Sequence, residues 1–149
     1  MINIIFALYG AHLIGDVLLY VPWLSNQKRA ESYTRKILGT TLHCFIHAVL
    51  VVLLFSIFNL DRGYLAAVII FCLHFTIDWS RVLLERRLIK PDDFLILERK
   101  KVVGWLLRKE SGETAHFMNK YFKRWFVVNA LDQTLHLIAI LICAWLIQS

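Results

Sequence analysis

Eight residues that ligate divalent metals stand in pairs four positions apart: His12 and Asp16, His43 and His47, His74 and Asp78, and Asp132 and His136. On a helix that spacing puts both side chains of a pair on one face, one turn apart. Each pair falls in a long apolar run, where ionisable groups are costly and usually face a bundle interior in a functional role. Imidazole nitrogen and carboxylate oxygen suit zinc, manganese or iron, and facing helices of a four-helix bundle can build a dinuclear site from such groups. Eight ligands are enough for one or two ions, with zinc the first expectation. The competing explanation is that each His and Asp only hydrogen-bonds across helices. Against it, five of the six histidines belong to the set, and every intramembrane Asp stands four positions from a His.

The elements that must position these residues are membrane helices. Of 149 residues, 58% are hydrophobic, mean hydropathy is +0.59, and apolar runs alternate with short charged segments. Runs over 2–23, 37–58, 64–84 and 125–147 are each near the ~20 residues needed to cross a hydrocarbon core. The fold class expected is all-α: one polytopic four-helix membrane bundle spanning 1–149, with an amphipathic cytoplasmic segment over 85–124 between the third and fourth spans. The first run lacks a basic n-region and contains His12 and Asp16, so it reads as a retained span and not as a signal peptide.

Orientation follows from the loops. Lys28, Arg29, Arg35 and Lys36 follow the first span, and Lys90, Arg99, Lys100, Lys101, Arg108, Lys109 and Lys120 follow the third, whereas Arg62 beside Asp61 stands alone after the second. Basic loops stay cytoplasmic, so both termini are expected outside. The formal charge of +6 then lies mainly on one surface, where it attracts anionic lipid headgroups and gives no reason to expect nucleic-acid binding. The number of subunits is open, a homo-oligomer included.

This topology orders the ligands. Spans one and three run inward and read His then Asp, while span four runs outward and reads Asp then His. Asp16, His43, Asp78 and Asp132 therefore form a shallow layer, and His12, His47, His74 and His136 a deep one, ~6 Å apart by the helical rise. Gln133, Asn129 and Tyr20 lie close enough to orient ligands. Arg81, three residues after Asp78, is expected to pair with a carboxylate or to grip a substrate phosphate. Gly10 and Gly15 allow close helix approach around His12. In the 85–124 segment, Phe94, Leu95, Leu97, Val102, Trp105 and Leu106 sit among basic residues, as an interfacial helix or a lid over the bundle mouth requires. Pro91 ends the third helix and Ser111, Gly112 and Glu113 mark a turn. His116 in that segment reads as a surface residue. Cys44, Cys72 and Cys143 match no metal or redox spacing and read as free thiols.

The segments HLIGD (12–16), HCFIH (43–47), HFTID (74–78) and DQTLH (132–136) together resemble a family of small bacterial membrane proteins known as a domain of unknown function numbered 3307. Lys28 fits a basic position that follows the first span in that family, while Tyr20 stands where a Gln is common. The resemblance implies a multi-pass protein of the bacterial cytoplasmic membrane and brings no established activity. A looser similarity is to membrane-bound metal-dependent hydrolases.

The expectation from these readings is a hydrolase acting from the cytoplasmic leaflet on a lipid or other amphiphilic phosphate ester. Metal-bound water would be the nucleophile, Asp16, Asp78 or Asp132 a base where not a ligand, and Arg81 and the loop lysines holders of the substrate anion. Alternatives are a di-iron or haem oxidoreductase, a metal or proton transporter, for which no residue marks the outer half of a path, and a non-catalytic interaction protein whose polar layers specify helix pairing.

Overall fold

A computed structural model describes residues 1–19, 21–89, 95, 97 and 99–148. Tyr20, Lys90, Pro91 and Phe94, singled out above, lie outside the described residues. The described chain is helical throughout, in the order α1 (Ile2–Leu13), a π-helical turn (Ile14–Leu18), α2 (Pro22–Lys28), α3 (Tyr33–Ile57), α4 (Gly63–Leu88), α5 (Arg99–Leu106) and α6 (Glu113–Gln148). Helices satisfy every backbone group within the segment, the condition for apolar runs of this length to sit in lipid. Three of them, α3, α4 and α6, are long and apolar enough to cross a membrane, and α1 with α2 makes a fourth if the bent pair is one span.

The bend corrects the expectation of an unbroken first span over 2–23. Val21 precedes Pro22 and is extended, at φ −112° and ψ 113°, as the clash of the proline ring with the preceding backbone demands. Pro22 then opens α2 at a position where its missing N–H costs nothing. The chain turns by 99° between the two parts, which sends α2 across the bundle mouth. The other expected bounds shift outward. The second helix begins at Tyr33, the third runs to Leu88, and the fourth begins at Glu113, so 113–124 is the first third of a long helix and not a separate amphipathic stretch.

Helices α1, α3, α4 and α6 pack in a ring, each touching the next in that order and α6 closing on α1. One end of the ring is filled by Ala7, Leu8, Ala11, Val51, Phe55, Ala66, Ile70, Ile140 and Cys143, among others. A second apolar cluster of Ile89, Phe117, Met118 and Tyr121, with Leu95, Leu97, Val102 and Trp105 against it, caps the opposite end. The polar pairs lie between these two clusters. Facing outward are Phe6, Leu38, Phe45, Leu53, Val68 and Trp145, an apolar exterior of the kind lipid covers. All three cysteines are free thiols, and His116 is exposed on α6.

Candidate metal centre

The structure brings all eight sequence-predicted ligands together. The four histidines of the deep layer form one ring cluster: centroids are 4.0 Å apart for His47 and His74, 4.2 Å for His74 and His136, 4.9 Å for His12 and His136, and 5.6 Å for His12 and His47. His43, one turn nearer the mouth, lies 4.6 Å from His47 and 5.1 Å from His74. Asp16 reaches over the cluster from the π-helical turn, whose signature is the bond from Leu19 N–H to the Ile14 carbonyl at 2.9 Å. Such turns recur at functional sites because they re-aim one side chain without ending the helix.

Gly15 makes this placement possible. A Cβ there would lie 2.6 Å from His47 Nε2 and 2.8 Å from His47 Nδ1, so only glycine leaves room for the imidazole. At Gly10, in contrast, a Cβ would meet only Leu54 Cδ1, at 3.4 Å. The packing role expected of the two glycines therefore narrows to Gly15.

Separations between donor atoms match those around a single ion. Asp16 Oδ1 lies 3.1 Å from His47 Nε2 and 3.2 Å from His43 Nε2, and His43 Nε2 lies 3.2 Å from His74 Nε2. A tetrahedral zinc with ligand distances of about 2.0–2.1 Å places its ligands roughly 3.3 Å apart. Three groups bring all their donor atoms within 4.8 Å of one another: His12, Asp16, His47 and His74; His43, His74 and Asp78; and Asp78, Asp132 and His136. Crowding points the same way. His43 Nε2 faces Asp16 Oδ1, His74 Nε2 and Asp78 Oδ2 at 3.2, 3.2 and 3.6 Å, yet a neutral imidazole has one N–H to share among them. In the third group, Asp132 Oδ1 and His136 Nε2 are buried with no hydrogen-bond partner, a costly state for acceptors. His136 Nδ1 donates to the Asp132 backbone carbonyl at 2.8 Å, which leaves the lone pair on Nε2. These residues fit a divalent ion.

Toward the mouth, the carboxylates are tied to cations. Lys28 Nζ donates to Asp78 Oδ2 at 2.8 Å. Arg81 donates to Asp132 Oδ2 at 2.9 Å, to Asn129 Oδ1 at 2.8 Å and to Glu85 Oε1 at 3.1 Å. Arg29 grips Glu85 with two bonds, at 2.9 and 3.2 Å, and Ser25 Oγ at 2.8 Å. Of the two roles expected of Arg81, carboxylate pairing is the one its geometry serves. Gln133 Nε2 donates to Asp132 Oδ2 at 3.1 Å. The sequence reading missed Glu85, 4% exposed, and gave Lys28 and Arg29 only to the basic loop. A signal existed: His74, Asp78, Arg81 and Glu85 recur at helical spacing and share one face. Lys28 and Arg29 arrive only because the break at Pro22 turns α2 inward. Gly39 lets α2 sit there, since a Cβ would meet Gln27 Cβ and Lys28 N at 2.7 Å.

Above the layers opens a cavity of about 470 Å3. Its floor is His12, Asp16, His43, Asp78, Lys28 and Arg81, while Leu13, Val17, Val21, Leu24, Leu97 and Val103 make apolar walls. Leu95, Leu97 and Val102 thus line the cavity as a lid would, and they also pack on Phe117, Met118 and Tyr121. Beneath the imidazoles lies a gap of about 10 Å3, bounded by Leu8, Val51, Ile70 and Ile140.

A family model covers almost the whole of this chain. It belongs to the family described as protein of unknown function DUF3307, matched over residues 4–149. No curated protein and no solved structure matches it. The four polar segments of this DUF3307 chain therefore stand on the geometry above.

Proposed function

We propose that this protein is a membrane-embedded, metal-dependent hydrolase that cleaves an amphiphilic phosphate ester drawn from the cytoplasmic leaflet. The observation that carries the reading is the convergence of five imidazoles and three carboxylates from four helices, with His12, Asp16, His43 and Asp78 of that set at the floor of a cavity with apolar walls. A divalent ion held there, zinc before manganese or iron, would supply Lewis acidity toward a bound water and the phosphoryl oxygen. The chain supplies the rest. Asp16, His12, His47 and His74 hold one cation position, and Arg81 fixes Asp132 by a charge-assisted bond. His43, which lines the cavity, is placed to hydrogen-bond the attacking water. Lys28 adds positive charge beside Asp78, where a phosphate would enter. The apolar walls receive the acyl or alkyl chain and exclude water from the reacting groups.

One feature favours hydrolysis over transport. The imidazoles rest on a packed apolar core, with a gap no larger than about one water; a conducting path would need polar groups on that side. The cations, Lys28, Arg29, Arg81 and Arg86, also gather at the site end, which supports placing that end at the cytoplasmic face of the bacterial inner membrane with both termini outside. The test is cleavage of short-chain phosphomonoester lipids, read as released phosphate, and of short-chain phosphodiester lipids, read as the released alcohol and phosphomonoester, in mixed micelles with protein loaded with Zn2+ or Mn2+. Wild type is expected to cleave one of the two classes, and a chelator or Asp16→Asn to abolish cleavage. Folded, metal-loaded protein inert toward both lipid classes would refute the hydrolase; a visible absorption band with bound iron would favour the oxidoreductase instead.

A further inference from the structure

The three candidate ligand groups overlap, and the overlap decides how many ions fit and where. The middle group, His43, His74 and Asp78, borrows His74 from the first and Asp78 from the third. The first and third groups share no residue, so both can be filled at once only if the middle one is not used. That leaves seven ligands in two sets and releases His43. The first set, His12, Asp16, His47 and His74, comes from α1 with its π-helical turn, α3 and α4. Its carboxylate is surrounded by imidazoles, with His12, His43 and His47 all within 3.7 Å of Asp16. The other, Asp78, Asp132 and His136, bridges α4 and α6. Both of its carboxylates already carry a fixed cation, Lys28 at 2.8 Å and Arg81 at 2.9 Å, yet Asp132 Oδ1 and His136 Nε2 are buried without a hydrogen-bond partner, Asp132 Oδ1 lying 3.7 Å from His136 Nδ1.

Resting on the metal-centre reading, we infer that the bundle holds two unequal divalent cations, a tight one on His12, Asp16, His47 and His74 and a weaker one on Asp78, Asp132 and His136, with His43 a ligand to neither. The inequality follows from charge. A second ion at Asp78 and Asp132 sits beside Lys28 and Arg81 in a low-dielectric interior, where like charges repel far more strongly than in water. The ligand count points the same way, four against three. Two such ions would supply positive charge to both the attacking and the leaving oxygen of a phosphoryl group.

The test is calorimetric titration of the full chain, stripped of metal in mild detergent, with Zn2+ alone, repeated with Co2+ to read coordination from its visible absorption. Wild type is expected to show two classes of one ion each, at least tenfold apart. His136→Ala removes only the weaker class and His47→Ala only the tighter. His43→Gln keeps both. Lys28→Met, which deletes the neighbouring charge, tightens the weaker class at least tenfold and serves where a His variant does not fold. A single class in wild type, loss of the tight ion in His136→Ala, loss of either ion in His43→Gln, or a weaker class unmoved in Lys28→Met overturns the inference. A single class still leaves the hydrolase intact, whereas absence of all Zn2+ and Co2+ binding removes both.

Discussion

Replacing Gly15 by Ala adds one methyl group at the most crowded point of the centre. The new Cβ would lie 2.6 Å from His47 Nε2, whereas carbon contacts are comfortable at about 3.5 Å or more. His47 must therefore retreat by roughly 1 Å. It is 1% exposed, and His74 and His43 stand behind it at 4.0 and 4.6 Å between ring centroids, so the movement is resisted. Forced packing of this kind costs about 1–3 kcal/mol. The same movement takes His47 Nε2 from 3.1 Å to about 4 Å from Asp16 Oδ1, far beyond the ~0.2 Å within which a metal ligand must sit. Disturbing even the groups that orient a ligand weakens binding 10–100-fold, and at least that loss is expected here. Competition for Zn2+ against a chromophoric chelator measures it, with thermal denaturation of the detergent-solubilised protein alongside. Gly10→Ala is the control: its Cβ meets only Leu54 Cδ1 at 3.4 Å, and the helix gains from losing a glycine. If Gly15→Ala binds Zn2+ as wild type does, the placement of His47 against the π-helical turn is wrong.

Other substitutions test other parts of the account. Gly39→Ala pushes α2 away from α3, since the new Cβ meets Gln27 Cβ and Lys28 N at 2.7 Å. It is expected to lower stability by about 1–3 kcal/mol and to weaken the Lys28 pair with Asp78, seen as faster hydrogen exchange across 22–29. Arg81→Ala removes the cation from Asp132, 3% exposed, while Glu85 keeps its two bonds from Arg29, and should cost about 3–5 kcal/mol in chemical denaturation, the penalty for an uncompensated buried charge. An effect near zero would mean that the network is solvated. Phe45→Lys puts a charge on the outward face of α3, where Phe45 is 58% exposed. It should disfavour membrane insertion of that helix by about 3 kcal/mol in a glycosylation-reporter assay, while Ile57→Lys, at the helix end, should be milder because its ammonium can reach the interface.

How far the sequence could be read depended on whether local spacing decided the outcome. The ligand pairs were legible because residues four apart must share a helix face, and the alternation of His and Asp with span direction placed them in two layers that the imidazole cluster reproduces. The charge clamp was less legible. Glu85 shares the face of Asp78 and Arg81, yet it stands at the start of what reads as a cytoplasmic segment, where a carboxylate is usually solvated. Lys28 and Arg29 were further out of reach, because their approach depends on the backbone break before Pro22 and on the missing side chain at Gly39, neither of which the hydropathy of the 2–23 run records. The proline itself was the available clue. Likewise the long α6 starts at Glu113 because Thr114, Phe117, Met118 and Tyr121 bury one stripe, a stripe partly formed by partners from the 85–106 segment.

The central claim is that the His and Asp layers are a metal centre and not only helix pairing, and metal content tests it most directly. Protein purified in mild detergent without chelator, assayed by elemental analysis beside a folded His74→Ala, His136→Ala double variant, is expected to carry one to two equivalents of zinc, manganese or iron, with a clear loss in the variant. No metal in either protein, and none regained when wild type is incubated with Zn2+, Mn2+ or Fe2+, would contradict the account and leave hydrogen bonding between helices as the role of the eight residues.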